Sequence, residues 1–313
     1  MKLGLLVAVL VACGGSAPAP ITTLPSDPQL QKGTHRVQVD GIELAYEVRG
    51  TGPLCIAHPG GPGADSAYLR SDALERQFTM IYIDPAGTGS SGKLPAGETY
   101  SMTRDARILE ALRDKLGLDR MCLVGHSYGG MVVLRYAVEH PRRVSGLFLY
   151  STSPTTGEDW EKATAEGLQM FASQPWFKSA AAALERETKA KSQAELDAAV
   201  KDELPLYFAD WSGHRAAYEP LVAAFKISYD VLRGQRDSEP FDVRHRLGVI
   251  HTTPTVIVSG RRDFLCGTKP ATWLAQAIGG SKLVEIEQAG HFAHVEQPAE
   301  FARAVDLFAS MLR

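Results

Sequence analysis

The sequence has few cysteines, almost no net charge and, after Cys13, no hydrophobic run long enough to cross a bilayer. Its 4 cysteines lack the paired Cys/His spacing of zinc sites, so no structural metal is indicated. The 33 basic and 36 acidic residues nearly balance, and composition therefore does not favour binding to nucleic acid or to an anionic surface. No internal repeat is present, which excludes a repeat architecture. What the chain does have is 313 residues, 44% of them hydrophobic, which suits one large α/β domain with an inserted segment.

The amino terminus has the pattern of an export signal. Met1 and Lys2 precede an apolar run over residues 3–12, which has the length of a secretory signal core. This run ends in Leu-Val-Ala-Cys, which is similar to the lipobox of bacterial lipoproteins, where the cysteine carries the lipid. Residues 1–12 are therefore interpreted as a signal peptide, and Cys13 as the lipidation site of a protein anchored in the bacterial cell envelope. A plain signal peptide of a periplasmic or secreted protein, or a start codon assigned too late, is the alternative.

The segment after Cys13 is interpreted as a flexible tether. Residues 13–33 are rich in Pro, Ser, Ala and Thr and lack apolar periodicity. About twenty such residues have a root-mean-square reach of roughly 25 Å. A tether of this length would separate the folded domain from the membrane. The lipid on Cys13 would be the point of attachment.

The predicted anchor can be tested by membrane fractionation. We expect Cys13→Ser to release the protein from the membrane fraction, because a short signal without lipid cannot hold a soluble domain there. Mass spectrometry that finds an unmodified amino terminus upstream of Cys13 would contradict the prediction.

The most informative motif is a serine in a glycine frame, Gly-His-Ser-Tyr-Gly-Gly at residues 125–130. It follows the apolar run 121–124 and precedes a helical pattern over residues 131–139. A strand, a serine and a helix in this order are typical of the G-x-S-x-G nucleophile elbow, in which a strained turn holds the hydroxyl above the sheet. Glycine is expected at 125 and 129 because a larger side chain would clash where the strand and helix approach.

Two further residues complete the set that a serine nucleophile needs, a base and an acid that orients it. Asp263 lies on the turn after the predicted strand Thr255–Ser259, and His291 follows the predicted strand Lys282–Ile286. In an open α/β sheet, ligands bind at the carboxyl ends of the strands. Separately, each could be an ordinary loop residue, but the order serine, acid, histidine is that of the elbow fold. We therefore predict Ser127 as nucleophile, His291 as base and Asp263 as the orienting acid, with activity falling on the acid side as the imidazole protonates.

The remaining pattern alternates strands and helices. A catalytic domain is predicted over residues 34–154 and 247–313, interrupted by a helical cap over residues 155–246 that is rich in aromatics. Cys55 and Cys122 lie in predicted strands and are interpreted as buried small hydrophobic residues, whereas Cys266 is interpreted as a loop thiol without function. The predicted strands are His35–Val39, Ile42–Val48, Leu54–Ala57, Met80–Ile83, Met121–Val124, Gly146–Tyr150, Thr255–Ser259 and Lys282–Ile286.

Three segments carry a resemblance to a known family. His-Pro-Gly-Gly-Pro-Gly at 58–63, Asp-Pro-Ala-Gly-Thr-Gly-Ser-Ser at 84–91 and Gly-His-Phe at 290–292 are similar to segments of α/β-hydrolases of the proline iminopeptidase-like group. The resemblance implies a mostly parallel eight-stranded sheet with helices on both faces and an inserted cap, and release of an amino-terminal proline or small residue. The sequence differs from the family pattern at two places. Pro59 stands where the family has histidine, and Pro85-Ala86 replace Gln-Arg.

The same resemblance implies further site residues. The oxyanion hole would use the backbone N–H of Tyr128 and that of Gly61 or Gly60. Aminopeptidases of the group hold the substrate's amino group with cap glutamates, for which the candidates are Glu158, Glu161, Glu203 and Glu219.

Function is therefore predicted as two-step hydrolysis of a short peptide through an acyl-enzyme, without metal or organic cofactor. A small ester, amide or lactone is the alternative substrate, and a surface-tethered binding protein without activity is the alternative of another class. Because Ser127 stands at the elbow, chemistry that requires an aspartate nucleophile is not favoured. The three histidines that flank the motifs, His58, His126 and His294, are interpreted as hydrogen-bonded structural residues. The oligomeric state is left open.

Overall fold

The structure, a computed structural model, describes residues 28–235 and 240–313. Its strands are β1 (Gly33–Val39), β2 (Ile42–Gly50), β3 (Leu54–His58), β4 (Thr79–Ile83), β5 (Met121–His126), β6 (Val144–Tyr150), β7 (Thr255–Gly260) and β8 (Lys282–Ile286). They form one eight-stranded sheet in the order β1-β2-β4-β3-β5-β6-β7-β8. Strand β2 is antiparallel to both of its neighbours, β1 and β4, and all other pairings are parallel. Every predicted strand is present.

A tight hairpin starts the sheet. Val39 pairs with Ile42, and the two residues between them, Asp40 and Gly41, have φ angles of 45° and 82°. Positive φ at both central positions is the type I′ turn, whose twist matches that of paired strands. Asp40 and Gly41 therefore close a two-residue β-hairpin between β1 and β2.

Helices cover both faces of the sheet. They are α1 (Asp72–Gln77), α2 (Met102–Lys115), α3 (Tyr128–Glu139), α4 (Glu158–Leu168), α5 (Phe177–Lys189), α6 (Gln193–Glu203), α7 (Trp211–Ala224), α8 (Tyr229–Gly234), α9 (Thr268–Ala277), α10 (Ala293–Glu296) and α11 (Pro298–Met311). Side chains of α2, α3 and α9 pack with one face of the strands, and those of α1 and α11 pack with the other. Because the central strands are covered on both sides, they are buried along almost their whole length and are mostly apolar, as parallel strands in α/β proteins are.

Five helices, α4 to α8, form the insertion between β6 and β7. The two chain segments at its base are joined, since Thr156 N–H donates to the Phe241 carbonyl at 2.8 Å and Val243 N–H donates to the Pro154 carbonyl at 3.0 Å. Phe241 and Val243 are buried in the same cluster as α2 and α3. The cap therefore ends several residues before the predicted boundary at 246, because these apolar side chains belong to the main core.

The predicted signal peptide and Cys13 lie outside the described residues, but the end of the predicted tether does not. Residues Pro28–Leu30 form a short 3-10 turn, and Leu30 is buried in the main core. The Tyr46 hydroxyl donates to the Gln29 carbonyl at 3.0 Å. The prediction of a tether as far as residue 33 was too long, because an apolar residue near its end packs on the domain. Across residues 28–235 and 240–313, no helix is long and apolar enough to span a bilayer.

The cysteines differ in part from their prediction. Cys55 and Cys122 are buried, but they stand opposite each other on β3 and β5 with Cα atoms 4.5 Å apart and form a disulfide. Their predicted burial is confirmed, but the disulfide was not predicted, because the pairing depends on strand order and register. Cys266 is a buried free thiol whose pKa is raised by burial.

Candidate active site

Ser127 occupies a strained turn between β5 and α3. Its backbone angles are φ 53° and ψ −123°, a conformation that residues other than glycine rarely adopt. Two contacts from the neighbouring strand hold it there. Ser127 N–H donates to the Tyr150 carbonyl at 3.0 Å, and its own carbonyl accepts from the Thr152 hydroxyl at 2.7 Å. Hydrogen bonds to β6 and to the segment after it therefore stabilise this strained conformation.

Glycines around Ser127 are required by close packing. A Cβ on Gly129 would lie 2.3 Å from the carbonyl oxygens of His58 and Pro59, and a Cβ on Gly125 would lie 2.6 Å from the Cα of Gly130. Both distances are far below van der Waals contact. The steric reason predicted for Gly125 and Gly129 is confirmed.

Asp263 and His291 are brought together by the ends of β7 and β8. The His291 Nδ1–H donates to Asp263 Oδ2 at 2.8 Å, while Asp263 Oδ1 accepts from the backbone N–H groups of Leu265 and Cys266 at 2.9 and 3.0 Å. Burial alone would raise the pKa of Asp263, but the imidazole and the two N–H donors lower it below its ordinary value. An ionised Asp263 fixes the His291 tautomer, with Nδ1 protonated and Nε2 able to accept.

The loop that carries His291 is held by Glu296, a residue to which the sequence assigned no role. Glu296 Oε1 accepts from the N–H groups of Gly290 and Phe292 at 2.9 and 3.2 Å, and Oε2 accepts from Ala209 in the cap at 2.7 Å. The N–H of His291 donates to the Tyr207 carbonyl, also in the cap, at 2.7 Å. Burial raises the pKa of Glu296 to about 7, against the opposing effect of its three donors. The histidine loop and the cap are therefore bonded to each other.

Ser127 and His291 line one cavity of about 60 Å³ between the catalytic domain and the cap. Within the described ranges no hydrogen bond joins their side chains; free enzymes often close this contact only when substrate binds. The cap contributes one acidic and several apolar or aromatic side chains to the wall: Glu187, Tyr207, Phe225, Ile227 and Leu232. A space of this size and character accepts a small acyl or aminoacyl group.

The family is decided by comparison over most of the chain. Residues 53–298 match the family model for the alpha/beta hydrolase fold. The chain belongs to the α/β-hydrolase fold family. The fold predicted from the sequence is confirmed.

Relatives of this α/β hydrolase carry different activities in their names. It is 31% identical over 80% of its length to the "Putative carbamate hydrolase RutD" of Pseudomonas syringae pv. syringae, of which the match covers 91%. It is 29% identical over 77% of its length to the proline iminopeptidase of Neisseria gonorrhoeae, of which the match covers 83%. A solved alpha/beta fold family hydrolase from Bacillus anthracis str. Sterne superposes with a TM-score of 0.70 at 21% identity, over 88% of this chain and 98% of that one.

In the glycine loop of this hydrolase, residues 59–63, one of the two predicted oxyanion donors is not available. Gly60 N–H donates to the Tyr68 hydroxyl at 2.7 Å, so it is not available to a substrate oxygen. Gly61, with φ 111°, lines the cavity, and in residues 28–235 and 240–313 its N–H donates to no protein group. Tyr128 is the first residue of α3, directly after Ser127. Gly60 is therefore excluded as an oxyanion donor, and the predicted roles of Gly61 and Tyr128 stay predictions.

The three flanking histidines are hydrogen-bonded structural residues, as predicted. His58 Nδ1 contacts the Pro59 carbonyl at 2.9 Å, and His294 Nε2 contacts the Tyr68 carbonyl at 2.9 Å. Burial lowers the pKa of His58 and of His294 to about 4. Both rings are therefore neutral at physiological pH.

Of the four predicted cap glutamates, only Glu203 is buried. Glu158 is exposed and pairs with Lys162 at 2.7 Å, and Glu161 and Glu219 are also exposed. Glu203 is 1% exposed, and among the described residues its Oε2 has no hydrogen-bond partner.

Glu187, which the sequence did not identify, lines the cavity and interacts with Glu203. Burial, and next the charge of Glu187, raise the pKa of Glu203 to about 9. Two acids thus share a poorly solvated part of the cap, and one of them, Glu187, lines the cavity that also contains Ser127.

Proposed function

We propose that this α/β hydrolase is a serine hydrolase that cleaves an amide next to a free amino group, most simply at an amino-terminal proline or small residue. The observation that supports this proposal is the buried carboxyl of Glu203, whose Oε1 accepts from the Tyr207 hydroxyl at 3.4 Å but whose Oε2 has no hydrogen-bond partner among the described residues. It interacts with Glu187, which lines the cavity. An unpaired acid in a desolvated place costs stability, and a bound cation removes that cost. A substrate ammonium group is the cation that would sit next to a scissile carbonyl in an aminopeptidase.

The chemistry follows from the geometry around Ser127. His291 Nε2 takes the hydroxyl proton as Ser127 Oγ bonds to the carbonyl carbon, and Asp263 stabilises the imidazolium that forms. The N–H groups of Tyr128 and Gly61 donate to the resulting oxyanion. Collapse expels the amine, which receives the proton from His291. Water then attacks the acyl-enzyme by the same route and releases the acid.

Charge in the cap favours a monovalent cation. Two acids, Glu187 and Glu203, lie near Arg233, whose Nη2 donates to the Glu187 carbonyl at 2.6 Å and whose charge lowers the Glu187 pKa against a larger rise from burial. Arg186, whose charge lowers the Glu203 pKa, is already paired with Asp202 at 2.8 Å. If both acids ionise, one negative charge remains uncompensated. An ammonium group supplies the missing positive charge, and two carboxylates accept its hydrogen bonds.

This arrangement links substrate binding to pH. In the empty cavity Glu203 holds a proton at neutral pH, because its pKa is raised to about 9. A bound ammonium stabilises the carboxylate, which lowers that pKa and releases the proton. KM for a substrate with a free amino group is therefore expected to fall between pH 6 and about 8, where the α-amino group itself begins to deprotonate.

We expect Glu203→Gln to reduce kcat/KM for prolyl p-nitroanilide by roughly 10- to 100-fold, the size of a lost charge-assisted hydrogen bond. Activity on p-nitrophenyl acetate, which has no amino group, should stay within about 2-fold. Glu158→Gln is the matched control, since Glu158 is an exposed cap glutamate. Equal losses on both substrates, or wild-type preference for the N-acetylated anilide, would contradict the amino-group site.

A second candidate is hydrolysis of a small ester, lactone or carbamate. The cavity of about 60 Å³ favours it, because it fits a small acyl group without movement of the cap. The name of the RutD relative agrees with such a substrate. Efficient turnover of short acyl esters or carbamates without turnover of prolyl amides would decide for this candidate.

A further inference from the structure

A chain of hydrogen bonds crosses the floor of the cavity from the glycine loop to the histidine loop. Gly60 N–H contacts the Tyr68 hydroxyl at 2.7 Å, the Tyr68 hydroxyl contacts His126 Nδ1 at 2.7 Å, and His126 Nε2 contacts the carbonyl of His291 at 3.0 Å. Tyr68 and His126 are 3% and 1% exposed. Their polar atoms are therefore satisfied by this chain and not by bulk water.

The direction of every bond in the chain is determined. A carbonyl oxygen can only accept, so His126 Nε2 carries the hydrogen and Nδ1 must accept. Tyr68 therefore donates to His126 Nδ1 and accepts from Gly60 N–H. Burial, and next the charge of His291, lower the pKa of His126 well below its ordinary value, so the ring stays neutral.

Both ends of the chain lie next to proposed reacting groups. Gly60 precedes Gly61, the proposed oxyanion donor, and the His291 carbonyl belongs to the proposed base. In the middle, His126 precedes Ser127. Tyr68 is further fixed by edge-on contacts with Phe225 of the cap at 5.1 Å and with Phe292 at 5.8 Å between ring centres.

We propose that Tyr68 and His126 are positioning residues that set the distance between the oxyanion donor on the glycine loop and the imidazole of His291. The inference rests on the proposed roles of Ser127 and His291. Donors of an oxyanion hole act on charge that develops in the transition state. Loss of their alignment therefore lowers kcat and leaves KM nearly unchanged.

Tyr68→Phe tests the proposal, because it removes one hydroxyl and keeps the ring that packs on Phe225 and Phe292. Tyr82→Phe is the matched control, since Tyr82 is a buried tyrosine outside the cavity whose hydroxyl also accepts a backbone N–H, that of Ser71 at 3.2 Å. We expect Tyr68→Phe to lower kcat on p-nitrophenyl acetate, and the rate of fluorophosphonate labelling, by roughly 10- to 100-fold, below the cost of losing an oxyanion donor outright. KM should change by less than about 2-fold.

A double-mutant cycle separates positioning from general loosening. His126→Gln alone should cause a similar loss, and the double variant should lose at most about 3-fold more, because both changes break one chain. If Tyr68→Phe does not fold, His126→Gln alone tests the proposal with the same measurements. Multiplicative losses, or a Tyr68→Phe effect no larger than that of Tyr82→Phe, would overturn the inference. Failure of the wild type to label at Ser127 would instead refute the proposed nucleophile.

Discussion

Replacement of Ser127 by alanine is expected to lower kcat by about 10⁶-fold, the loss typical of a serine nucleophile that acts with a histidine base. The protein should remain folded, because the contacts that hold this strained residue use its backbone N–H and carbonyl and not its hydroxyl. A residual rate above that in water should survive, since the oxyanion donors and the binding cavity are still present.

Ser151→Ala is the matched control for this experiment. Ser151 is also a buried serine at the end of a parallel strand, with φ 45° and its N–H donated to the Val258 carbonyl at 2.8 Å. It does not line the cavity. Labelling by a fluorophosphonate should disappear in Ser127→Ala and persist in Ser151→Ala. Labelling that is equal in wild type and Ser127→Ala would refute the nucleophile.

Asp263→Asn is expected to lower kcat by about 10⁴-fold. The amide oxygen can still accept from Leu265 and Cys266, so the turn is preserved. The amide nitrogen, however, can only donate, and it faces His291 Nδ1. His291 must then carry its hydrogen on Nε2, and the nitrogen nearest the nucleophile no longer accepts a proton.

Asp242→Asn tests whether another acid plays this part. Asp242 pairs with Arg244 at 2.6 Å at the base of the cap, and its pKa is lowered chiefly by that arginine. Its replacement should leave the rate within about 3-fold of wild type. A near-normal rate in Asp263→Asn together with a large loss in Asp242→Asn would reverse the assignment.

The parts of this fold that were predictable depend on local pattern. The apolar runs of β3, β4, β5 and β7 end at His58, Asp84, Gly125 and Gly260, and β6 is followed by Ser151. Ser127, Asp263 and His291 all lie at the carboxyl ends of strands in this sheet. The glycines at 125 and 129 were predictable because a strand-to-helix turn leaves no room for side chains. Such features need only the sequence within a few residues.

The parts that were missed depend on distant packing. Glu187 lies near the end of α5 among charged neighbours, a pattern typical of an exposed helix face, and only the folded cap places it at the cavity. The pairing of Cys55 with Cys122 requires β3 and β5 to be neighbours in one register. Gly60 could not be distinguished from Gly61 without Tyr68, which lies 8 residues further along the chain.

The carboxylate of Glu296 makes the position of the proposed base depend on the cap. It joins the backbone on either side of His291 to Ala209, so the imidazole is supported from the cap as well as from β8. The cap is therefore a structural support of the proposed catalytic residues and not only a cover over the cavity. A substitution that loosens the cap near Ala209 is expected to disturb the alignment of His291 even where it leaves the cavity wall unchanged.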